Sequence, residues 1–212
     1  MDTFSKTALY AEWTDLPPLV AQAVALANDL GFISCCTPEQ GKLLQVLARG
    51  RVGGVIGETG TGCGAGLAWM ASAIGPETRL VSVEMDATRA AACQTLFATL
   101  PNVTVLHGDW RVIAAYGPFD LLILDGGGGG KRANDPPADP VSLLKPGGTL
   151  VLDDFHPPLE CWPEAAMPRD AEGRSTTAAR QHWLQHPDLF ATEVRVHPQA
   201  STIVATRKAP RS

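Results

Sequence analysis

Three carboxylates hold the chemistry that stands out in this chain. Asp125 closes the apolar run Phe119-Asp-Leu-Leu-Ile-Leu-Asp125, while Asp153 and Asp154 close Thr149-Leu-Val-Leu-Asp-Asp154. Both runs read as strands, the first apolar enough to be buried on both faces of a parallel sheet. Such sheets present their ligands at the strands' carboxyl ends. Adjacent carboxylates at one tip, facing a third at the next, form the oxygen-rich set that a hard divalent cation takes. Without a cation, mutual repulsion raises at least one of their pKa values. The competing reading is that only one of Asp153 and Asp154 points inward, because successive strand residues alternate.

A second chemical feature is Val55-Ile-Gly-Glu-Thr-Gly-Thr-Gly-Cys-Gly-Ala-Gly66, which runs into Leu67-Ala-Trp-Met-Ala-Ser-Ala-Ile74. It reads as a strand with Glu58 near its end, a glycine-rich turn, and a helix with Leu67, Met70, Ala71 and Ile74 on one face. Glycines let the main chain take positive φ and approach a ligand, and a helix start offers unpaired N–H groups. Glu58, Gly60, Thr61, Gly62 and Gly64 are thus candidate contacts to a nucleotide-like cofactor. The spacing leaves two ligand classes open. Gly60, Gly62 and Ala65 satisfy the dinucleotide pattern G-x-G-x-x-G/A, whereas Glu58, Gly60, Gly62 and Gly64 are similar to the E-x-G-x-G-x-G of S-adenosylmethionine (SAM) methyltransferases.

Further candidates lie at later strand tips. Leu80-Val-Ser-Val83 forms a second strand ending in Glu84, placed to accept hydrogen bonds from ribose hydroxyls. Asp86 is expected as the N-cap of the next helix, with Cys93, Leu96, Phe97 and Leu100 facing the core. Val103-Thr-Val-Leu106 forms a third strand, followed by Asp109 and Trp110. Asp109 suits the exocyclic amine of adenine and Trp110 the wall of its ring, while Asp109 also caps a helix over Trp110 to Tyr116.

The elements that must position these groups follow from periodicity. Leu19 to Leu30 predicts a helix, with Pro17 and Pro18 in its first turn and Gly31 as its stop. Thr37-Pro-Glu-Gln40 predicts the start of another, with Thr37 as N-cap and Gln40 set for a capping box. Leu143-Leu-Lys-Pro-Gly-Gly148 reads as a helix end and turn. Ser175 to His186 reads as a short helix whose His182 and His186, four apart, lack the intervening carboxylate of a zinc protease pattern. Leu189 to Val196 and Ser201 to Thr206 are joined by too few residues for a crossover and must pair antiparallel. The expected fold is α/β, a mostly parallel seven-stranded sheet with an antiparallel C-terminal hairpin. Residues 1–212 are expected to form a single domain, with helices over 17–50 packed on the cofactor and substrate side. The run Gly126 to Gly130 carries no side chains and is expected to be mobile, either closing over a substrate or serving as a passive connection. Residues 157–175 read as a long functional loop.

Composition narrows the partners. Seventeen basic and 22 acidic residues give a net charge of −5, with no clustered cationic face for nucleic acid. Five cysteines, an odd number without a C-x-x-C pair, indicate free thiols of a reducing cytosol. No apolar run approaches a membrane span, and the first residues lack a signal peptide's apolar core. The expectation is a soluble, cytoplasmic protein for which a homodimer is permitted but not required.

Taken in order, these motifs resemble the class I SAM-dependent methyltransferases, whose fold is Rossmann-like. The resemblance rests on Glu58-Thr-Gly-Thr-Gly-Cys-Gly64, Val83-Glu84, Gly108-Asp109, Phe119 to Asp125, Leu143 to Gly148 and the closing hairpin. Thr37-Pro-Glu-Gln-Gly41 and Leu152-Asp-Asp-Phe155 are similar to the small-molecule O-methyltransferases related to the catechol and caffeoyl-CoA enzymes. The resemblance implies SAM as cofactor, a small hydroxylated methyl acceptor, and a magnesium ion on Asp125, Asp153 and Asp154. Asp125 also fits the cofactor and catalytic roles. A lysine usually follows the strand-four aspartate by three residues in that group, and here the position is Gly128. Lys131 and His156 are the replacement candidates for the base.

Two other classes compete. A nicotinamide-dependent oxidoreductase fits G-x-G-x-x-A and Glu84 but not the Pro-Gly-Gly turn, the hairpin or the lack of a substrate domain. A SAM-binding protein without turnover fits the glycine run that replaces the usual loop.

Overall fold

The computed structural model describes residues 5–131, 135–155 and 177–210. A 3-10 helix at Thr7–Glu12 leads to α1 (Pro18–Asp29) and α2 (Pro38–Arg49), followed by β1 (Val55–Thr59) and α3 (Ala65–Ala71). Then come β2 (Arg79–Glu84), α4 (Ala87–Leu96), β3 (Val103–His107), a second 3-10 helix at Trp110–Tyr116 and β4 (Phe119–Leu124). The chain continues through α5 (Pro140–Leu143), β5 (Leu144–Phe155), α6 (Thr177–Leu184), β6 (Leu189–His197) and β7 (Ala200–Arg207).

The strands form one seven-stranded sheet in the order β3-β2-β1-β4-β5-β7-β6. β1 to β5 run parallel, and β7 pairs antiparallel with both β5 and β6. The expected mixed sheet with its closing hairpin is therefore the observed one. The order reverses between β1 and β4, and a crevice opens at such a switch point beyond the carboxyl ends of the strands.

Side-chain alternation splits the core into two layers. Ile56, Leu80, Leu121, Ile123 and Val151 meet α1, α2 and α3 on one face. Val81, Val83, Leu122, Leu124, Leu150, Leu152 and Trp183 fill the other. Consecutive residues of β4 serve opposite layers, which is why this strand is apolar without interruption.

Local signals set most helix starts. The Thr37 hydroxyl accepts from the Gln40 N–H at 3.2 Å and Asp86 accepts from the Arg89 N–H at 2.9 Å, each satisfying a first-turn donor. The expected capping box at Thr37 does not close. Gln40 is buried and its amide donates to Thr202 of β7 at 3.4 Å, so tertiary packing takes the side chain away.

The Pro-Gly-Gly segment also differs from expectation. It lies inside β5 and is looped out: Leu144 pairs with Phe119, and the next partners are Thr149 and Leu121. Within that excursion, Lys145 reaches back to Asp120 at 2.7 Å.

Among the described residues no helix is long and apolar enough to cross a membrane. Cys35, Cys36, Cys63 and Cys93 are buried free thiols. Cys161, His156 and the expected loop at 157–175 lie outside the described residues.

Candidate functional site

The glycine turn is braced from below by β2. The Gly60 and Thr61 N–H groups donate to the Val83 carbonyl at 2.8 and 3.2 Å, the Gly62 N–H to Glu84 Oε2 at 2.7 Å, and the Gly64 N–H to the Thr61 carbonyl at 2.8 Å. Gly60 takes φ +85°, and a Cβ there would stand 2.3 Å from the Gly126 nitrogen. β1 and β4 can thus bring their ends together only through a residue without a side chain.

A crevice of about 280 Å³ opens above this turn. Gly60, Gly62, Glu84, Asp109, Trp110 and Asp125 line it, as the sequence led us to expect, together with Asp154. Other expected cofactor contacts stand behind the wall. Glu58 is 2% exposed and accepts from the Ser82 hydroxyl at 2.6 Å, while Thr61 bonds the same hydroxyl at 2.6 Å. Gly64 faces Phe97 and Cys93, because its left-handed φ starts α3 and turns its Cα inward. These residues shape the turn rather than line the main crevice, although Glu58 and Thr61 border a small adjoining cavity.

Glu84 sits at the tip of β2 and is 5% exposed. It accepts from the Asp86 N–H at 2.9 Å and from the Arg89 guanidinium at 2.8 Å, besides the Gly62 N–H. Arg89 in turn lies 5.3 Å from the Phe32 ring centroid. Asp109 caps the second 3-10 helix, and the Arg111 N–H, followed by its guanidinium, holds the carboxyl below its usual range. Trp110 stands against the glycine run: a Cβ on Gly127 would lie 2.4 Å from the Trp110 ring.

That run is not a free connection. Gly127, Gly128 and Gly129 are buried. Thr59 donates to the Gly127 carbonyl at 2.8 Å, and Trp183 of α6 donates to the Gly129 carbonyl at 2.8 Å. The absence of side chains seats Trp110 and lets α6 approach the main chain. These contacts tie the run to β1 and α6 in this conformation.

Asp125, Asp153 and Asp154 converge, with one potential ligand atom from each lying within 4.8 Å of the others. Simple alternation would have excluded one of the pair on β5. Asp154 instead takes φ +59°, and the register of β5 against β7 shifts between Leu152 and Phe155. Aspartate tolerates this left-handed region better than most residues. Burial and then the neighbouring carboxylates push Asp125 well above the ordinary carboxylate range and raise Asp153. Lys131 donates to the Asp153 carbonyl at 2.6 Å, with its ammonium 5.5 Å from the Phe155 ring centroid.

One participant was not read from the sequence. Lys6 makes a salt bridge to Asp154, with its side chain only 17% exposed. Burial alone would lower its pKa, but Asp153, Asp154 and Asp125 outweigh it and raise the value. Phe32, Ser34 and Arg89 of the crevice were also missed. Arg89 had a faint signal, a cation in the first turn of the helix after Glu84; Lys6 and Phe32 had none.

The sheet order and its carboxyl-end crevice are those of the Rossmann-like methyltransferase fold. Residues 58–155 match the family model described as a methyltransferase domain. A protein of Mycobacteroides abscessus, provisionally described as an O-methyltransferase, is 31% identical over 143 residues, which is 63% of this chain. The match spans 64% of that relative's length. The O-methyltransferase TomG from Streptomyces achromogenes, involved in tomaymycin synthesis and solved with SAM, has a TM-score of 0.70 at 20% identity over 96% of each chain. The O-methyltransferase from Bacillus cereus, solved with S-adenosylhomocysteine (SAH), has a TM-score of 0.72 at 20% identity over 96% of each chain.

Proposed function

We propose that this chain is a SAM-dependent O-methyltransferase acting on a small hydroxylated acceptor such as a phenol, with a divalent cation held by Asp125, Asp153 and Asp154. The observation that carries this reading is the continuity of one crevice, in which Asp125 and Asp154 share the walls with Gly60, Glu84 and Trp110. A cofactor seated over the glycine turn has its reactive end beside the carboxylates.

The residues take distinct roles in this reading. Glu84 accepts ribose hydroxyls, Asp109 the adenine amine, and Trp110 walls the ring. The glycine turn also speaks against a dinucleotide. Gly60, Thr61, Gly62 and Gly64 spend their N–H groups on Val83, Glu84 and Thr61, so this stretch has few donors left for a pyrophosphate.

The three carboxylates fit a hard cation by the chemistry of their oxygens and their spacing, and the Lys6 ammonium already stands on Asp154 as a cation. Bound there, a divalent ion would lower the pKa of the acceptor hydroxyl and orient it. In the transfer, the sulfonium carbon–sulfur bond breaks, the carbon–oxygen bond forms and SAH leaves. The hydroxyl proton goes to the Asp125 carboxylate, or to the Lys131 amine once that side chain has given up its own proton to solvent, these being the described base candidates at the cluster. The buried wall around them aligns the reacting atoms and excludes water.

Thermal shift with SAM, SAH and NAD, followed by methyl transfer to a panel of phenols and catechols with and without a chelator, tests this. Stabilisation by NAD alone would sink the assignment. Transfer that is indifferent to the chelator would remove the metal from it.

A further inference from the structure

Lys6 reaches a carboxylate 148 positions further along the chain, and it does so from a fixed base. The neighbouring Thr7 N–H donates to the Ile33 carbonyl at 3.2 Å, its hydroxyl donates to the Phe32 carbonyl at 2.7 Å, and the Cys35 N–H donates to that hydroxyl at 3.4 Å. The segment that carries Lys6 is therefore tied to the segment that walls the cofactor crevice through Phe32 and Ser34.

The two lysines at the cluster are not equivalent. Lys131 is held by a main-chain carbonyl, that of Asp153, and so leaves the carboxylate oxygens to others. Lys6 binds a carboxylate oxygen of Asp154 directly, and Asp154 is one of the three carboxylates that a shared cation would use. Its ammonium is a compact charge on a flexible stem, and the Asp154 side chain is 46% exposed, so water can take over the ammonium once it leaves.

We propose that Lys6 is the resident counter-cation of the three-carboxylate site, and that a divalent cation binds there by displacing the Lys6 ammonium from Asp154. This rests on the metal reading above and adds a residue that sets the affinity. In the cation-free protein Lys6 offsets repulsion among Asp125, Asp153 and Asp154. When a cation arrives, Lys6 is released into the crevice mouth while Thr7 keeps its segment attached to the Phe32 wall.

The test is Mn²⁺ binding by isothermal titration calorimetry to the wild type, Lys6→Met and the charge-matched control Lys208→Met, whose lysine sits far along the chain on the Pro187 carbonyl. Displacement predicts that Lys6→Met binds Mn²⁺ roughly tenfold more tightly, the equivalent of removing one modest ion-pair competitor, with Lys208→Met unchanged. Equal affinity in wild type and Lys6→Met overturns the competition and leaves the metal reading standing. No Mn²⁺ binding in any of the three overturns the metal reading and this inference with it. Should Lys6→Met fail to fold, amine labelling of the wild type read by mass spectrometry serves instead. Displacement predicts faster modification of Lys6 when Mn²⁺ is added, and an unchanged rate overturns it.

Discussion

The Ser82 hydroxyl donates to Glu58 Oε2 across 2.6 Å behind the glycine turn, and Thr61 bonds the same hydroxyl from the other side. Burial raises the Glu58 pKa to about 7, against the opposing effect of the Ser82 hydrogen bond. In the unfolded chain this carboxyl loses its proton near its ordinary value of 4.5. The folded state therefore holds the extra proton between pH 4.5 and about 7, and stability falls as pH rises through that window. Glu58→Gln keeps the shape and an acceptor for Ser82 without a charge. Its stability relative to wild type should climb through the same window and reach up to about 3 kcal/mol above it at pH 8. Chemical unfolding of both proteins from pH 4.5 to 8 checks this, and parallel curves would show that Glu58 does not titrate there.

Gly60 joins two strand ends as well as shaping the turn. A Cβ at this residue would stand 2.3 Å from the Gly126 nitrogen and 2.4 Å from its Cα, both main-chain atoms, and a φ of +85° is itself strained for alanine. Gly60→Ala should destabilise the fold by about 2 kcal/mol or more and weaken SAM binding at least tenfold. Unfolding and calorimetric titration measure the two effects separately.

The sheet could be read from the sequence because its strands carry their own periodicity and stops. Phe119 to Asp125 is apolar throughout because β4 serves two core layers, and the short link after His197 forces β6 and β7 into a hairpin. The site was legible where a residue ends a strand, as Glu84 and Asp125 do. It was illegible where geometry departs from the repeat or contact is long-range. Alternation turns one of Asp153 and Asp154 away, but a single left-handed residue, Asp154, reverses that. Lys6 and Phe32 arrive at the crevice through tertiary folding, which leaves no local pattern.

The Trp183 indole N–H donates to the Gly129 carbonyl at 2.8 Å, and the side chain is fully buried. Trp183→Phe retains most of the apolar volume but leaves that carbonyl without the indole. The expected loss is about 1 to 2 kcal/mol, with faster amide hydrogen exchange across Gly126 to Gly130. Unchanged exchange in that run would mean that Trp110 and Thr59 hold it without α6.

Asp153 separates a functional carboxylate from a structural one by the sign of its effect. It is 3% exposed, and burial followed by Asp154 raises its pKa, so folding places its charge in an unfavourable position at neutral pH. Asp125 suffers in the same way, with burial again the first cause. A raised carboxylate pKa gives stability that is present at low pH and lost as pH rises. Asp153→Asn removes one like charge from the cluster, so the cation-free variant should be at least as stable as wild type once the wild-type carboxyl has ionised, and its stability should fall less as pH rises. The same substitution removes an anionic oxygen ligand, so Mn²⁺ binding should weaken at least tenfold. Unfolding without metal and Mn²⁺ titration on the same preparations provide both readouts. A carboxylate kept only for the fold would lose stability on substitution and leave Mn²⁺ binding unmoved, whereas a cation ligand held against its neighbours gives the opposite pair of results.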